Sequence, residues 1–142
     1  MTKKLKCVLL VDDDNGANFI NRMIIEEAGI TDHIEITLNG QEALDYLAKT
    51  GKYKDKGTRT APELILLDIN MPVIDGWEFL DEYNKLEEDQ KNSSIIVLLT
   101  TSLNPDDKKR AEKNPVISSF ENKPLDRKVL EKIVTKHFKT SN

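Results

Sequence analysis

One apolar run that ends in a carboxylate constrains this chain more than any other stretch. Residues 64–67 read Leu-Ile-Leu-Leu, Asp68 follows directly, and Pro72 comes soon after. Consecutive apolar residues are typical of a strand that is covered on both faces, and proline prevents such a strand from continuing. We therefore predict that Asp68 lies at the carboxyl end of a buried strand. That edge of an open α/β sheet is where ligands bind, although an aspartate there can also simply cap its own loop.

The other apolar segments alternate between strand-like runs and helical spacing. The remaining predicted strands are residues 7–11, 34–38, 94–99 and 116–120. Strands that alternate with helices in this way predict an α/β fold, with a five-stranded parallel sheet covered on both faces and right-handed crossovers. Residues 51–62 form a long charged connection without periodicity, which is either mobile or a surface for a partner. Mobility is the favoured interpretation.

Helix ends are predicted from capping residues and from the spacing of apolar side chains. The first helix is expected to bury one stripe, which consists of Phe19, Ile20, Met23, Ile24 and Ala28. Gly29 is expected to end that helix, and the second helix should run to near Gly51. Asn39, Asp75 and Asn104 stand where the second, third and fourth helices can begin.

Composition restricts the class of protein. A chain of 142 residues, with 38% hydrophobic and 32% charged residues, fits a single globular domain over residues 1–142. No apolar run approaches the roughly 20 residues that a membrane span needs. The net charge of -4 offers nucleic acid no overall attraction, and the lone Cys7 cannot form an internal disulfide. We expect a cytoplasmic protein whose partners are neither membranes nor nucleic acids.

Polar residues follow four of the predicted strands at one sheet edge. Asp12 and Asp13 end the first strand, Asp68 the third, Thr100 the fourth and Lys123 the fifth. In the flavodoxin-like strand order 2-1-3-4-5 the first and third strands are neighbours, so the three carboxylates converge. Two carboxylates about 4 Å apart repel by roughly 4 kcal/mol at an effective dielectric constant of about 20. Mg²⁺ relieves such repulsion and suits a site with few carboxylates, and Lys123 supplies a second positive charge.

This arrangement can support phosphoryl transfer. With a cation on one side and an ammonium on the other, the free oxygen of Asp68 can attack phosphorus, and Thr100 can donate a hydrogen bond to the bound group. Each residue also has an ordinary interpretation, as part of a polar loop, a strand or a charged surface. Their coincidence at one sheet edge favours a site.

The chain resembles the receiver domains of two-component response regulators, of the stand-alone, CheY-like kind with a doubly wound (βα)5 fold. The matching segments are residues 8–13, 66–72, 75–76, 97–100, 120 and 123–124. The resemblance implies that Asp68 accepts a phosphoryl group from a histidine kinase or a histidine phosphotransfer protein. It also implies a Mg²⁺ site; the expected ligands are Asp12, Asp13, Asp68 and the backbone carbonyl of Asn70.

The same resemblance assigns a switch to the other residues. Thr100 and Phe120 would be the switch pair, the hydroxyl moving to the phosphoryl group while the ring turns inward. Lys123 would contact the phosphoryl group, and its peptide bond to Pro124 is expected to be cis. The changed surface would be recognised by a downstream protein target. A homodimer is a further possibility in this family.

Three hypotheses about function follow. The first is a phospho-accepting signalling module, not an enzyme beyond its own phosphorylation and slow dephosphorylation. The second is a phosphorylation-independent interaction domain, because the segment around Pro115 lacks the glycine that commonly precedes the fifth strand in this family. The third is a phosphatase. It ranks last, because Asn70 stands where the haloacid-dehalogenase pattern needs a second carboxylate.

Overall fold

Within the part of the chain that the structure describes, five parallel strands form one sheet in the order β2-β1-β3-β4-β5. The computed structural model describes residues 4–54, 61–69, 71, 74–86, 94–101 and 104–138. The strands are β1 (Val8–Val11), β2 (Ile34–Thr37), β3 (Leu64–Asp68), β4 (Ile95–Thr100) and β5 (Ser119–Asn122). The predicted doubly wound α/β fold and its flavodoxin-like strand order are confirmed.

Helices cover both faces of this sheet. They are α1 (Asn15–Ala28), α2 (Gly40–Ala48), α3 (Gly76–Asn84), α4 (Pro105–Lys113) and α5 (Arg127–Phe138). Successive side chains of a strand point to opposite faces, so Leu67 of β3 joins the core cluster with α2 and α3, while Leu66 joins the cluster with α1 and α5. Each buried leucine side chain stabilises the fold by about 2 kcal/mol, which fixes both layers against the sheet. None of the described helices is long and apolar enough to cross a membrane.

The predicted helix starts agree with the structure. The side chain of Asn39 accepts a hydrogen bond from the Glu42 backbone N–H at the start of α2. Asp75 and Glu78 form a full capping box on α3, each side chain accepting from the other's backbone N–H. Asn104 caps α4. These caps orient the helices that leave the sheet edge where the predicted site lies.

Helix α1 buries a different face from the one that its apolar residues predict. Phe19, Ile20 and Met23 are 62%, 53% and 44% exposed. The buried residues of this helix are Asn18, Asn21 and Ile25. The prediction of a buried stripe is therefore wrong for its first half, whereas Ile24 and Ala28 pack against the core. Asn18, on the buried face, donates a hydrogen bond to the Asp12 carbonyl where the chain leaves β1.

The connection after α2 begins with a turn that packs against that helix. α2 ends at Ala48 instead of near Gly51, because Lys49 adopts a left-handed conformation with φ 61° and its N–H donates to the carbonyl of Asp45. Gly51–Tyr53 then form a 3₁₀ turn. The ring of Tyr53 is buried edge-on against Tyr46, with ring centroids 5.1 Å apart. Mobility of the rest of this connection stays a prediction, and residues 55–60 lie outside the described residues.

Strand β5 begins three residues later than predicted. The side chain of Asn114 accepts from the Val116 N–H at 3.0 Å, and its carbonyl accepts from the Ile117 N–H at 3.1 Å. These bonds hold the segment in a turn, since an asparagine side chain competes with the sheet for backbone partners. Contact with β4 starts only at Ser118, whose N–H donates to the carbonyl of Ile96 at 2.8 Å.

Candidate functional site

The carboxyl ends of β1 and β3 bring three carboxylates together. Val11 pairs with Leu67 in the sheet, so Asp12 and Asp68, the residues that follow, lie side by side. Carboxylate oxygens of Asp12, Asp13 and Asp68 all lie within 4.8 Å of one another. Asp12 and Asp68 are buried, while Asp13 is exposed. The cluster therefore sits at the predicted sheet edge with one side open to solvent.

Lys123 supplies a positive charge to this cluster. Its Nζ lies 2.6 Å from Oδ2 of Asp12 and 3.5 Å from Oδ1 of Asp68. Burial lowers the pKa of the lysine, but the hydrogen bond and charge of Asp12, together with Asp68, outweigh burial and raise that pKa above its usual value. The ammonium thus stays protonated at neutral pH, and the three carboxylates still leave an excess of negative charge. The Lys123-Pro124 peptide is cis, as predicted.

The loop between β1 and α1 holds Asp12 in place. Oδ1 of Asp12 accepts a hydrogen bond from the Asp14 backbone N–H at 2.9 Å, and its carbonyl accepts from Nδ2 of Asn18 at 2.8 Å. Asp14 in turn caps α1 by accepting from the N–H groups of Gly16 and Ala17. Nothing in the sequence singles out Asn18, because an asparagine inside a helix carries no signal until the rotation of that helix is known.

Thr100 and Phe120 lie on the two strands beyond Asp68. Asp68 pairs with Leu99, so Thr100 is one residue further along β4, where it is completely buried. The carbonyl of Thr100 accepts a hydrogen bond from the Lys123 backbone N–H at 2.8 Å. Phe120 is half-buried on β5 and packs against the core cluster that includes α2 and α3. Thr100 and Phe120 therefore lie on adjacent strands, with Thr100 on the strand next to Asp68.

Gly76, at the start of α3, packs against the backbone of Asp68 and Ile69. The Gly76 N–H donates to the Ile69 carbonyl at 2.8 Å. A Cβ atom at position 76 would lie 2.8 Å from both the Asp68 carbonyl oxygen and Cα of Ile69, so glycine is required by this close approach. Asn70 lies outside the described residues, and its carbonyl as a metal ligand stays a prediction.

The chemistry of these donors fits a hard divalent cation. Asp12, Asp13 and Asp68 offer carboxylate oxygens at mutual distances that one ion can bridge, and the exposed Asp13 leaves the cluster open to water. Mg²⁺ and Mn²⁺ both favour such oxygen ligands and keep several waters. The excess negative charge that Lys123 does not neutralise favours the same ion.

Known proteins share this sequence pattern and fold. The family profile described as response regulator receiver domain matches residues 8–135. The probable methanogenesis regulatory protein FilR2 of Methanothrix harundinacea is 35% identical over 127 residues, which cover 89% of this chain and 77% of that protein.

Two solved structures have the same architecture. A two component response regulator from Cytophaga hutchinsonii superposes with a TM-score of 0.79 at 34% identity, covering 94% of this chain and 97% of the other. The Mn²⁺-bound form of response regulator Rcp1 superposes with a TM-score of 0.73 at 31% identity, covering 96% of this chain and 97% of the other. By its sequence match, its fold and the residues at its sheet edge, this chain belongs to the response regulator receiver domain family.

Proposed function

We propose that this chain is a phospho-accepting receiver in which Asp68 takes a phosphoryl group from a histidine of a kinase or a phosphotransfer protein. The observation that carries the proposal is the environment of Asp68. Its carboxylate lies in a cluster with Asp12 and Asp13, and the ammonium of Lys123 is 3.5 Å from its Oδ1. Membership of a family of signalling domains supports the same chemistry.

In the proposed transfer, a carboxylate oxygen of Asp68 forms a bond to phosphorus while the bond from phosphorus to the donor imidazole nitrogen breaks. The nitrogen keeps the bonding electron pair, and Asp68 becomes an acyl phosphate. Lys123 stabilises the negative charge on the transferring group, since its raised pKa keeps it protonated. Asp12, Asp13 and Asp68 would hold a Mg²⁺ ion, which supplies positive charge beside the phosphoryl oxygens when bound.

Signalling requires that the new group changes the surface of the domain. A phosphoryl group adds roughly -1.5 to -2 charge and three acceptor oxygens. We assign the hydroxyl of Thr100 as a donor to this group, with Phe120 turning inward from its half-buried position. Shifting a two-state equilibrium from 1:99 to 99:1 needs about 5.5 kcal/mol, which a few charge-assisted hydrogen bonds can supply. The bond between the Thr100 carbonyl and the Lys123 N–H couples the ends of β4 and β5 in this change.

Helix α1 offers a contact surface for the protein that donates the phosphoryl group. Phe19, Ile20 and Met23, which we call the α1 patch, are the exposed apolar side chains of this helix. Ile20 lines a cleft together with Lys123 and Pro124, and Nζ of Lys123 lies 3.5 Å from Asp68, so the patch lies near the site. Grouped exposed apolar side chains mark interaction surfaces. We therefore assign the α1 patch to the phosphodonor protein.

The α1 patch can be tested by comparing two phosphodonors. Ile20→Glu should slow transfer from a histidine phosphotransfer protein severalfold but leave labelling by acetyl phosphate unchanged. Leu38→Glu is the matched control, because Leu38 is also an exposed apolar residue but follows β2 outside the patch. Equal loss with both donors would contradict the assignment and indicate damage to the site itself.

Phosphorylation can be tested by intact-mass analysis after incubation with acetyl phosphate, with and without Mg²⁺. Wild type and Asp32→Asn should each gain one Mg²⁺-dependent phosphoryl adduct, and Asp68→Asn should gain none. Asp32 is a suitable control carboxylate, because its side chain is 85% exposed and pairs only with Lys4 among the ion pairs described. An adduct on Asp68→Asn would overturn the proposal. A folded wild type that gains no adduct would favour the phosphorylation-independent interaction domain.

A further inference from the structure

Asn18 occupies a position where helix packing favours an apolar residue. It lies on the buried face of α1 and is only 2% exposed, while the three apolar side chains of the α1 patch remain in solvent. A helix that packs on a sheet normally turns its apolar side chains inward. Departures from this pattern are expected where function imposes a cost on the fold.

The contacts of Asn18 lead to the carboxylate cluster. Its Nδ2 donates to the Asp12 carbonyl at 2.8 Å. The carboxylate of the same aspartate accepts from the Asp14 N–H through Oδ1 and from Lys123 through Oδ2. The backbone and the side chain of Asp12 are thus held from three directions. Since Asp13 is the next residue, the bond from Asn18 also restrains the backbone that carries the second carboxylate.

The amide of Asn18 is poorly suited to a purely structural role. Among the described residues, its Oδ1 is the buried side-chain oxygen or nitrogen that has no hydrogen-bond partner. An unpaired buried acceptor is unfavourable, and a leucine, which has the same branched skeleton and no polar atom, would avoid it. The gain from the Nδ2 bond is therefore largely offset within the same side chain. What remains is the effect of that bond on the geometry of Asp12.

We infer that Asn18 is a positioning residue for the cation site. It holds the Asp12 carbonyl, and with it the carboxylates of Asp12 and Asp13, in the arrangement that can share a divalent cation with Asp68. This inference rests on the proposed function, of which the cation site is a part. Residues that orient metal ligands typically change metal affinity by about 10- to 100-fold, and we expect the lower end because Asn18 acts through the ligand's backbone.

The test measures Mn²⁺ affinity from the electron paramagnetic resonance signal of the free ion, without any phosphodonor. Asn18→Leu and Asn18→Ala should each bind Mn²⁺ about tenfold more weakly than wild type. Asn21→Leu is the matched control. Asn21 lies on the same buried face of α1 and is 7% exposed, but its side chain makes no hydrogen bond within the described ranges. This control should bind Mn²⁺ as wild type does.

A second readout needs no metal. Hydrogen exchange at the Asp14 amide, which donates to Asp12, should be faster in the Asn18 variants than in Asn21→Leu at matched global stability. The alanine variant decides the matter if the leucine variant does not fold. Wild-type Mn²⁺ affinity in a folded Asn18 variant, or an equal loss in Asn21→Leu, would overturn the role of Asn18. A wild type that binds no Mn²⁺ would instead contradict the cation site of the proposed function.

Discussion

Replacing Lys123 with methionine tests how strongly the carboxylate cluster depends on one ammonium. Nζ of Lys123 lies 2.6 Å from Asp12 and 3.5 Å from Asp68, and the three side chains are 15%, 6% and 9% exposed. At an effective dielectric constant of about 20, these attractions are worth about 6 and about 5 kcal/mol before the cost of desolvation. Removing one partner of a buried pair costs about 3–5 kcal/mol, because the other charge is left uncompensated. We expect Lys123→Met to lower the free energy of unfolding by about 3 kcal/mol, since exposed Asp13 lets water reach the cluster.

The assay is urea unfolding of metal-free protein at neutral pH, followed by the fluorescence of Trp77, the single tryptophan. With a denaturant dependence of about 2 kcal/mol per molar, the midpoint should fall by about 1.5 M. Lys4→Met is the matched control, because the Lys4–Asp32 pair at 2.8 Å is 54% and 85% exposed and should contribute less than about 1 kcal/mol. Saturating Mg²⁺ should restore more stability to Lys123→Met than it adds to wild type, because the ion replaces the missing positive charge.

One result would refute this reasoning. If Lys123→Met lost no more stability than Lys4→Met in metal-free buffer, the carboxylates of Asp12 and Asp68 would not need the ammonium. The electrostatic account of the site would then be wrong, although the three side chains converge. A loss that Mg²⁺ does not reduce would contradict the cation site specifically.

Two other predictions follow from the same geometry. Gly76→Ala should lower the free energy of unfolding by about 1–3 kcal/mol, because its Cβ would lie 2.8 Å from backbone atoms of Asp68 and Ile69. In the same urea assay, the control Gly16→Ala should change the free energy of unfolding by less than about 1 kcal/mol, because its Cβ would meet only a side-chain oxygen, at 3.3 Å. The raised pKa of Lys123 means that its stabilising contribution is complete below the unfolded-state pKa of about 10.4 and is lost as the pH rises through the folded-state pKa. The stability difference between wild type and Lys123→Met should therefore shrink in alkaline buffer, and a difference that grows with pH would contradict the assigned ion pairs.

The strand ends could be predicted because their signals are local and strong. The run before Asp68 is short and continuously apolar, which favours a strand buried on both faces, and the proline after it limits how far the strand can continue. The caps at Asp75 and Asn104 are equally local, because each depends only on a side chain that accepts hydrogen bonds from backbone N–H groups a few residues further along the chain. The strand order 2-1-3-4-5 makes β1 and β3 neighbours, and Asp12 and Asp68 then lie close together because each stands at the carboxyl end of its strand.

The face that α1 buries could not be predicted, because it depends on a contact between elements. Counting apolar residues favours burial of Phe19 and Ile20, but the buried residues of α1 include Asn18, whose Nδ2 donates to the carbonyl of Asp12 in the preceding loop. The start of β5 differs from the prediction for another reason, which is a local turn. The residues near Val116 have the composition of a strand, but the side chain and the carbonyl of Asn114 accept hydrogen bonds from the N–H groups of Val116 and Ile117 and hold them in a turn.

We propose that Asp68, and no other carboxylate of the cluster, accepts the phosphoryl group. The most direct measurement is borohydride reduction of phosphorylated protein, which converts an aspartyl phosphate to homoserine, followed by peptide mass spectrometry. We expect homoserine at position 68 alone, formed only when the phosphodonor and Mg²⁺ were both present. Homoserine at position 12 or 13, or at an exposed aspartate while Asp68 remains unmodified, would contradict it.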